Sequence, residues 1–239
     1  MPISVQTQTE NSLLDILPKE AKARIFPRIK KVELPLGTVV YEAGQTVEYV
    51  YFPCDCIISL LYVMLDGSSA EISVVGNEGI VGIAVFMGGA STPSRAVVQS
   101  GGTAWRLAAA ELKSEFNHHA EMRMVMLRYT QALITQMAQT AVCNRHHSID
   151  QQLCRWLLLS MDRLLTRELV MTQELIANML GVRREGVTEA AGKLKNAGII
   201  AYRRGHITVV DRPALEKRCC ECYEVVKRET DRLQAYTMF

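Results

Sequence analysis

The chain has 239 residues, of which 49% are hydrophobic and 22% are charged, a composition typical of globular proteins with a substantial core. That length suits one large domain or two ordinary ones of roughly 150 residues each. The net charge of +2 excludes a uniformly basic surface, so any nucleic-acid binding must come from local clusters of cations. Neither a secretory signal pattern nor an uncharged apolar run of about 18 residues is present, so we expect a cytoplasmic protein that does not enter a membrane.

The first part of the chain predicts two short helices followed by a β-roll. The segments LLDIL and KEAKARIF have helical patterns and lie on either side of Pro18. From about Val32 to Leu107, short runs rich in Val, Ile, Tyr and Leu alternate with turns that contain glycine. Strands of that length at near-even spacing indicate an all-β roll or barrel.

A helical pattern without glycine or proline follows, from about Ala109 to Asn144. Apolar residues recur along it at spacings of three and four: Met122, Met126, Tyr129, Leu133 and Met137. A stripe on so long a helix must be buried, and a symmetric partner is the simplest way to bury it, so we predict a homodimer with these residues as its seam. The pairs His118-His119 and His146-His147 flank the helix, and we expect turn or hinge residues there rather than metal ligands.

Three more helical segments, a hairpin and a final helix are predicted beyond Ile149. The helical segments are QQLCRWLLLSMDRLL, TQELIANML and the stretch that begins near Arg183. The hairpin is GIIAYRRGHITVVD, with Arg-Gly at its turn. The final helix should run from Pro213 to about Leu233, with the proline in its first turn, where the missing N–H costs nothing.

The segment TQELIANMLGVRREGVTEAAGKLKNAGII reads as a helix, a glycine turn and a second helix. The apolar positions of the two helices would form one shared face: Leu175, Ile176, Leu180, Val187, Ala190, Ala191 and Leu194. Gly181 supplies the turn, and the hairpin that follows predicts a winged helix-turn-helix. In this motif the N-terminal end of the second helix enters the DNA major groove.

The polar residues at the start of the second helix are the candidates for reading DNA sequence: Arg184, Glu185, Thr188 and Glu189. Arg183 is unexpected at a helix start, where Ser, Thr, Asp or Asn is the preferred cap and the helix dipole disfavours a cation. A DNA phosphate would neutralise that charge. We predict phosphate contacts from Thr172, Gln173, Arg183, Lys193, Lys195, Arg203, Arg204 and His206. The alternative is that these charges form only a solvated helix face.

The order of β-roll, long helix and winged helix resembles the Crp–Fnr family of bacterial transcription regulators, from about Leu13 to Leu233. The helix-turn-helix segment with the wing YRRGHITVVD is the most specific part, and LPLGTVVYEAGQTVEYVYFP and VVGNEGIVG in the roll are less specific. The resemblance implies an α+β fold in three parts. These are a cyclic-nucleotide-binding-like sensor roll of the double-stranded β-helix or jelly-roll type over residues 1–110, a dimerisation helix and hinge over 111–147, and a winged helix-turn-helix domain over 148–239.

The same resemblance implies a homodimer on double-stranded DNA, with RNA polymerase as a further partner if the protein is an activator. It places Arg184 and Glu185 at the family's base-reading Arg-Glu pair. Glu189 stands where a second arginine is usual, so we expect the operator sequence to differ from the family's commonest one. No catalytic residues are assigned, and an enzyme is the weakest alternative.

The resemblance also implies an effector pocket in the roll, for which the matching residues are Gly82, Ile83, Ser94, Arg95 and Met137. The family's cyclic-nucleotide pocket has a Gly-Glu pair, an Arg-Ser or Arg-Thr pair and hydroxyls from the long helix. Here Ile83 cannot accept hydrogen bonds from a ribose, Ser94-Arg95 inverts the second pair, and Met137 and Ala138 replace the hydroxyls. We therefore expect that cyclic AMP is not bound in the usual way, and the effector stays unknown.

Two alternatives to a small-molecule effector remain open. One is a regulator without an effector, controlled by its abundance. The other is a thiol or metal sensor that acts through Cys54 and Cys56 or through Cys219 and Cys222, although no metal ligand set is assigned. The first cysteine is Cys54 and no histidine precedes His118, which argues against an N-terminal iron–sulfur cluster and against a haem in the roll.

Overall fold

The computed structural model of the chain describes residues 9–164, 168–203 and 205–235. Two short helices, α1 (Ser12–Asp15) and α2 (Lys19–Ile25), come first, as predicted. Asn11 joins α1 to the rest of the fold. Its side-chain oxygen accepts a hydrogen bond from the Leu14 amide at 3.0 Å, and its amide group donates to the carbonyls of Pro53 and Gly79 at 2.8 and 3.0 Å.

Seven strands then form the predicted roll. They are β1 (Lys30–Leu34), β2 (Val39–Tyr41), β3 (Tyr49–Pro53), β4 (Ile57–Val63), β5 (Ser69–Val75), β6 (Arg95–Ser100) and β7 (Gly102–Ala108). One antiparallel sheet has the order β1-β7-β3, and the other has the order β2-β6-β4-β5. Strands far apart in sequence are neighbours in both sheets, which confirms the roll predicted from the evenly spaced β-patterns.

The long helical pattern is divided into α3 (Ala109–His118) and α4 (Ala120–His146). His119 separates them because its backbone is extended, with φ −124° and ψ 111°. At its other end α4 stops before His147, which is also extended. The prediction of one uninterrupted helix is therefore wrong at a single residue, whereas both histidine pairs do lie at helix ends.

The predicted dimer seam is corrected by the packing of α4. Met122, Met126, Tyr129 and Leu133 are all buried in the core of the roll of their own chain, and Met137 packs partly buried against the same core. The spacing correctly indicated a buried stripe. Periodicity does not specify which surface covers a stripe, however, and here the intrachain roll does so. These residues do not face outward toward a second subunit.

The rest of the chain forms the winged helix-turn-helix and a C-terminal helical pair. The elements are α5 (Ile149–Arg163), β8 (Glu168–Val170), α6 (Gln173–Leu180), α7 (Arg184–Asn196), β9 (Ile200–Arg203), β10 (His206–Val209), α8 (Arg212–Arg218) and α9 (Glu221–Gln234). The hairpin β9–β10 is as predicted, and β8 joins it to give a sheet of order β8-β10-β9. The single C-terminal helix expected from Pro213 is instead broken at Cys219 and Cys220.

The roll and the winged helix share one hydrophobic core. Ile57, Leu61 and Val74 of the roll pack in the same buried cluster as Trp156 and Leu180. The cluster also includes most of the predicted helix-turn-helix face, but Leu175 is 37% exposed. No helix among the described residues is both long and apolar enough to cross a membrane.

Polar contacts reinforce this junction between the roll and the winged helix. The Arg163 guanidinium donates to the Glu78 carboxylate at 2.7 Å, and the Trp156 indole N–H donates to Glu71 at 3.1 Å. Gln136 of α4 donates to the carbonyl of Val74 at 2.8 Å. The roll, the long helix and the winged helix-turn-helix are therefore connected by hydrogen bonds as well as by apolar packing.

Candidate DNA-binding surface and effector pocket

The turn between α6 and α7 is built from local signals in the sequence. Thr172 caps α6, since its hydroxyl accepts a hydrogen bond from the Leu175 amide at 3.2 Å. Gly181 ends α6 in the left-handed conformation with φ 65°, which glycine adopts without steric cost. The chain can then turn sharply, and α7 begins at Arg184.

The buried face of α7 holds the helix against α5 and the core. Val187, Ala190, Ala191 and Leu194 are all buried, as the spacing predicted. Gly186 makes the closest approach: a Cβ atom there would lie 2.7 Å from Cδ1 of Ile149 on α5. This packing fixes the rotation of α7, and therefore determines which of its side chains face solvent.

All four predicted base-reading residues lie on the exposed side of α7. Arg184, Glu185, Thr188 and Glu189 are all solvent-exposed, with 64% of the Arg184 side chain accessible. Nε of Arg184 lies 3.9 Å from the Glu174 carboxylate, a loose surface pair that contributes little stability. The Thr188 hydroxyl lies 2.7 Å from Oε1 of Gln173 and 3.0 Å from the Arg184 carbonyl, so it links the two helices of the motif.

The predicted phosphate-contacting cations differ in how far they are already neutralised. Arg183 is the exposed N-cap of α7 and its side chain makes no capping hydrogen bond. Lys193 lies between two carboxylates, 3.0 Å from Glu189 and 3.2 Å from Asp150. Hydrogen bonds to Glu189 and then Asp150 raise the pKa of Lys193. Its charge is therefore balanced within the chain, which makes it a weaker phosphate ligand than Arg183.

The remaining predicted contacts lie at the end of α7, at the start of α6 and on the wing. Lys195, Arg203 and His206 are exposed, as is Thr172, whereas Gln173 is half-buried. His206 Nδ1 lies 2.8 Å from the Glu168 carboxylate across the β8–β10 pairing. Arg204, the other predicted contact at the wing tip, lies outside the described residues.

Most of the residues matched to the family's effector pocket make contacts within the chain. Ile83 starts a short 3-10 turn after Gly82, which has φ 108°. Ser94 is buried and its hydroxyl is 3.0 Å from that of Thr92. Nε of Arg95 lies 3.1 Å from the Glu42 carboxylate, a partly exposed ion pair of the kind that contributes little stability. Met137 packs against the roll core instead of offering a hydroxyl.

A cavity that the sequence did not indicate lies between α1, α4 and α9, with a volume of about 420 Å³. Its walls are mainly apolar, and include Leu13, Val125, Ala132 and Leu233. Arg163 and Glu78, which pair with each other, also line it. Residues from both ends of the chain form this cavity, and no local motif marks such a place.

Cys54 and Cys56 do not form a reactive thiol pair. Both are buried in the roll as free cysteines. Burial raises the pKa of Cys54 to about 11 and that of Cys56 to about 12. Both thiols therefore stay protonated near neutral pH, and the thiolate is the form that reacts with oxidants and binds metals. Their burial and raised pKa values therefore give no support to sensing at this pair.

These features define a class of protein. A β-roll of the sensor type is packed on a winged helix-turn-helix that exposes a charged helix start, which is the arrangement of a DNA-binding regulator. Two family models match the chain in the corresponding places. A cyclic nucleotide-binding domain matches residues 31–119, and a Crp-like helix-turn-helix domain matches residues 151–218. A search of curated proteins gave no match.

Solved structures share the fold at low sequence identity. FixK2 from Bradyrhizobium japonicum is 14% identical with a TM-score of 0.65, covering 80% of this chain and 98% of that one. A CRP-family transcriptional regulator from Thermus thermophilus is 17% identical with a TM-score of 0.66, covering 79% and 95%. The c-di-GMP-responsive global regulator CLP from Xanthomonas campestris is 12% identical with a TM-score of 0.62, covering 80% and 99%.

The chain is a transcription regulator of the Crp–Fnr type, with a cyclic nucleotide-binding domain followed by a Crp-like helix-turn-helix domain. The fold class and the family resemblance inferred from the sequence are thereby confirmed. The chain is a regulator and not an enzyme, also in agreement with the sequence.

Proposed function

We propose that the protein is a cytoplasmic homodimer that reads an inverted-repeat operator, with α7 of each subunit in a major groove. The observation that carries this proposal is the start of α7, where Arg184, Glu185 and Thr188 are exposed on a helix whose opposite face is buried. Helices in this position enter the groove by their N-terminal residues. Two of them on a symmetric dimer would contact half-sites roughly 10 base pairs apart.

Arg184 and Glu185 are proposed as the residues that discriminate between bases. A guanidinium can donate two hydrogen bonds to O6 and N7 of guanine, and a carboxylate can accept one from the amine of cytosine. The Glu174 pair of Arg184 is exposed and long, so it can be exchanged for a base without a large cost. Thr188 and Glu189 lie one turn further along the same face and would read the neighbouring positions.

Arg183, Lys195 and Arg203 are proposed as the main phosphate ligands, because each is an exposed cation at one end of the reading helix or on the wing. Thr172, Gln173 and His206 would add shorter contacts, and Lys193 a weaker one because Glu189 and Asp150 hold it. Such contacts position a protein on the duplex without reading its sequence.

A second stripe on α4 is proposed as the dimer face in place of the buried one. Met124, Leu127, Ile134 and Val142 are large apolar residues between 43% and 54% exposed. Together with exposed Gln131, Ala138 and Ala141, the first three recur at spacings that alternate between three and four as in a two-helix seam, and Val142 lies beside Ala141. Exposed apolar residues in a row of this length usually mark a protein interface.

The effector, if there is one, is proposed to be something other than a cyclic nucleotide in the usual pocket. Arg95 is paired with Glu42, and Ile83 has no acceptor for a ribose hydroxyl. A buried phosphate without a cationic partner would be strongly disfavoured. CLP, which shares the fold, responds to c-di-GMP, so a roll of this shape is compatible with another effector. The cavity between α1, α4 and α9 is a place where a mainly apolar ligand would fit.

Selection of DNA fragments from a random or genomic pool by the purified protein tests the proposal directly. We expect the bound fragments to share a sequence with two-fold symmetry and two half-sites one helical turn apart. Fragments enriched without any common sequence, or with one half-site only, would contradict the proposed two-fold symmetric operator. Sedimentation of the protein–DNA complex would independently count the subunits per site.

A further inference from the structure

Four potential metal-binding side chains converge where the end of α4 meets the start of α9. They are Cys143, His147, Cys220 and Cys222, and their ligand atoms all lie within 4.8 Å of one another. The three cysteines are buried, and the His147 side chain is 14% exposed. No other group of this kind is found among the residues that the structure describes.

The distances within the group suit tetrahedral coordination. Sγ of Cys143 lies 3.6 Å from Sγ of Cys220, and Sγ of Cys222 lies 3.6 Å from Nδ1 of His147. Zinc bonds thiolates at about 2.3 Å and imidazole nitrogen at about 2.0 Å, so the ligands of a tetrahedral site are spaced by roughly 3.5–3.8 Å. An ion could therefore bind between these four atoms with little movement of the backbone.

The local backbone explains why these four residues meet. Cys143 and His147 are one helical turn apart at the end of α4, where the His147 amide bonds to the Cys143 carbonyl at 3.0 Å. Cys220 is the N-cap of α9 and Cys222 lies in its first turn. The break between α8 and α9, which the sequence pattern did not predict, is therefore the place where two thiols turn toward α4.

The surroundings of the group are those of a metal site. Nε2 of His147 lies 3.3 Å from the Glu221 carboxylate, and a carboxylate on the far nitrogen of a histidine commonly orients it toward a metal. The guanidinium of Arg155 is buried, bonds to the Thr140 hydroxyl and acts electrostatically on Cys143 and Cys222. A cation is therefore already in place for the net negative charge that three thiolates and one divalent ion would carry.

We propose that Cys143, His147, Cys220 and Cys222 bind one zinc ion, with protein atoms at all four positions. Three sulfurs and one imidazole are the ligand set of structural zinc sites, and such closed sites hold segments together instead of activating water. The ion would fix α9 to the end of α4. This set differs from both cysteine pairs considered from sequence: Cys222 belongs to it, whereas Cys54, Cys56 and Cys219 do not. The proposal does not depend on how the protein binds DNA.

Metal analysis of the full-length chain tests the proposal. We expect about one zinc per chain after purification under reducing conditions. Cys220→Ser and His147→Ala should each lower the zinc content severalfold. Cys219→Ser is the matched control: it changes the neighbouring thiol, which lies outside the group, and should retain the wild-type content. Cobalt substituted for zinc should give the intense visible absorption of a tetrahedral thiolate site.

A second measurement on the unmodified protein avoids variants that fail to fold. Titration of its thiols with a mercurial reagent should release about one zinc per chain, and full release should require modification of the three cysteine ligands in addition to the half-exposed Cys219. The proposal is overturned if the wild-type chain retains no zinc after zinc-supplemented expression, if it carries iron instead, or if folded Cys220→Ser keeps the full content. Each of these readouts is independent of DNA binding, so it also distinguishes a failed metal site from a failed regulator proposal.

Discussion

Arg184 and Arg203 are both exposed arginines of the DNA-binding unit, but they occupy different kinds of position. Arg184 is the first residue of α7 and lies on the face opposite the core, where a base edge would be reached. Arg184→Ala is expected to weaken binding to the operator by roughly 1–3 kcal/mol and to relax the preference at one base pair. Competition binding with operators substituted at each position measures both effects. An unchanged base preference would contradict the assigned role.

Arg203 ends the first strand of the wing, beside the helix-turn-helix and not on its reading face. Arg203→Ala is expected to weaken binding to the operator and to random DNA by the same factor, because a phosphate contact carries no sequence information. The slope of log K against log salt concentration should fall by about one. Titrations at several salt concentrations measure that slope. If Arg203→Ala changed the base preference as Arg184→Ala does, the two roles could not be separated.

Glu71 gives the junction between the roll and the winged helix a dependence on pH. Its carboxyl accepts hydrogen bonds from Trp156 at 3.1 Å and from Ser59 at 2.6 Å. Burial raises its pKa from 4.5 to about 7, although Ser59 and Arg155 oppose that shift. Between these two values the folded chain binds a proton that the unfolded chain does not. The free energy of unfolding should therefore fall by roughly 3 kcal/mol as pH rises through this window.

Glu71→Gln removes the titrating group while it keeps an acceptor for Trp156. The variant should lose this part of the pH dependence, so its free energy of unfolding should change less than that of the wild type between pH 5 and 8, values that roughly bracket the window. Urea unfolding at several pH values measures the difference. Glu224→Gln, at an exposed position on α9, is the control and should retain the wild-type dependence. If the free energy of unfolding changed with pH by the same amount in all three proteins, Glu71 would be ruled out as the source of the pH dependence.

Single residues were predictable from the sequence where their environment is set locally. The exposure of Arg184 and Glu185 follows from the turn at Gly181 and from the helical spacing of the buried alanines, all within about 15 residues. The meeting of Cys143 with Cys220 depends on residues 77 positions apart, and nothing in either segment records that proximity. Long-range packing decides such contacts, so they emerge only in three dimensions.

At the level of whole elements, α4 shows what periodicity leaves open. It carries two stripes with spacings of three and four: one is buried in the roll of its own chain, and the other is exposed. The sequence identified the first and assigned it to the partner subunit. Both stripes have the spacing of a helical seam, so only the position of the roll shows which of them is free for a partner.

Ile134→Glu places a charge in the middle of the exposed stripe of α4. We expect it to convert the dimer to a monomer at micromolar concentration, because an unpaired carboxylate at an apolar interface is strongly disfavoured. Sedimentation equilibrium measures the change. Leu65→Glu, on the exposed turn between β4 and β5, is the matched control and should leave the association unchanged. A dimer that tolerates glutamate at residue 134 must use another surface.

Other helices and strands were predictable only where a local sequence pattern marks them. The hairpin β9–β10 was found from its turn, but the three-residue β8 was missed because so short a strand has no detectable alternation. The break at Cys219 was hidden because Leu215, Cys219, Cys222 and Val226 keep helical spacing across it. Spacing identifies the face of a helix, whereas an interruption is decided by what the two halves pack against.

At the level of the whole molecule, the roll has the family's shape but departs from its usual cyclic-nucleotide residues at Ile83, Ser94 and Arg95. Cyclic AMP and cyclic GMP at about millimolar concentration are expected to leave the melting temperature unchanged, because Ser94-Arg95 inverts the family's phosphate-binding pair and the Ile83 side chain offers no acceptor. A ligand that binds only the folded state must raise stability. Calorimetric titration with either nucleotide checks this, and saturable binding with heat release would contradict it.

The core shared by the roll and the winged helix limits how the protein can switch. Swinging the reading helix away from the roll within one subunit would uncover Ile57, Leu61 and Val74, at a cost of several kcal/mol, since each fully buried side chain contributes about 1.5–3 kcal/mol. In the proposed dimer, each subunit would therefore move as one unit. The distance between the two α7 helices would then change most easily by rotation of one α4 against the other, so a signal that alters operator affinity should act where the two α4 helices meet.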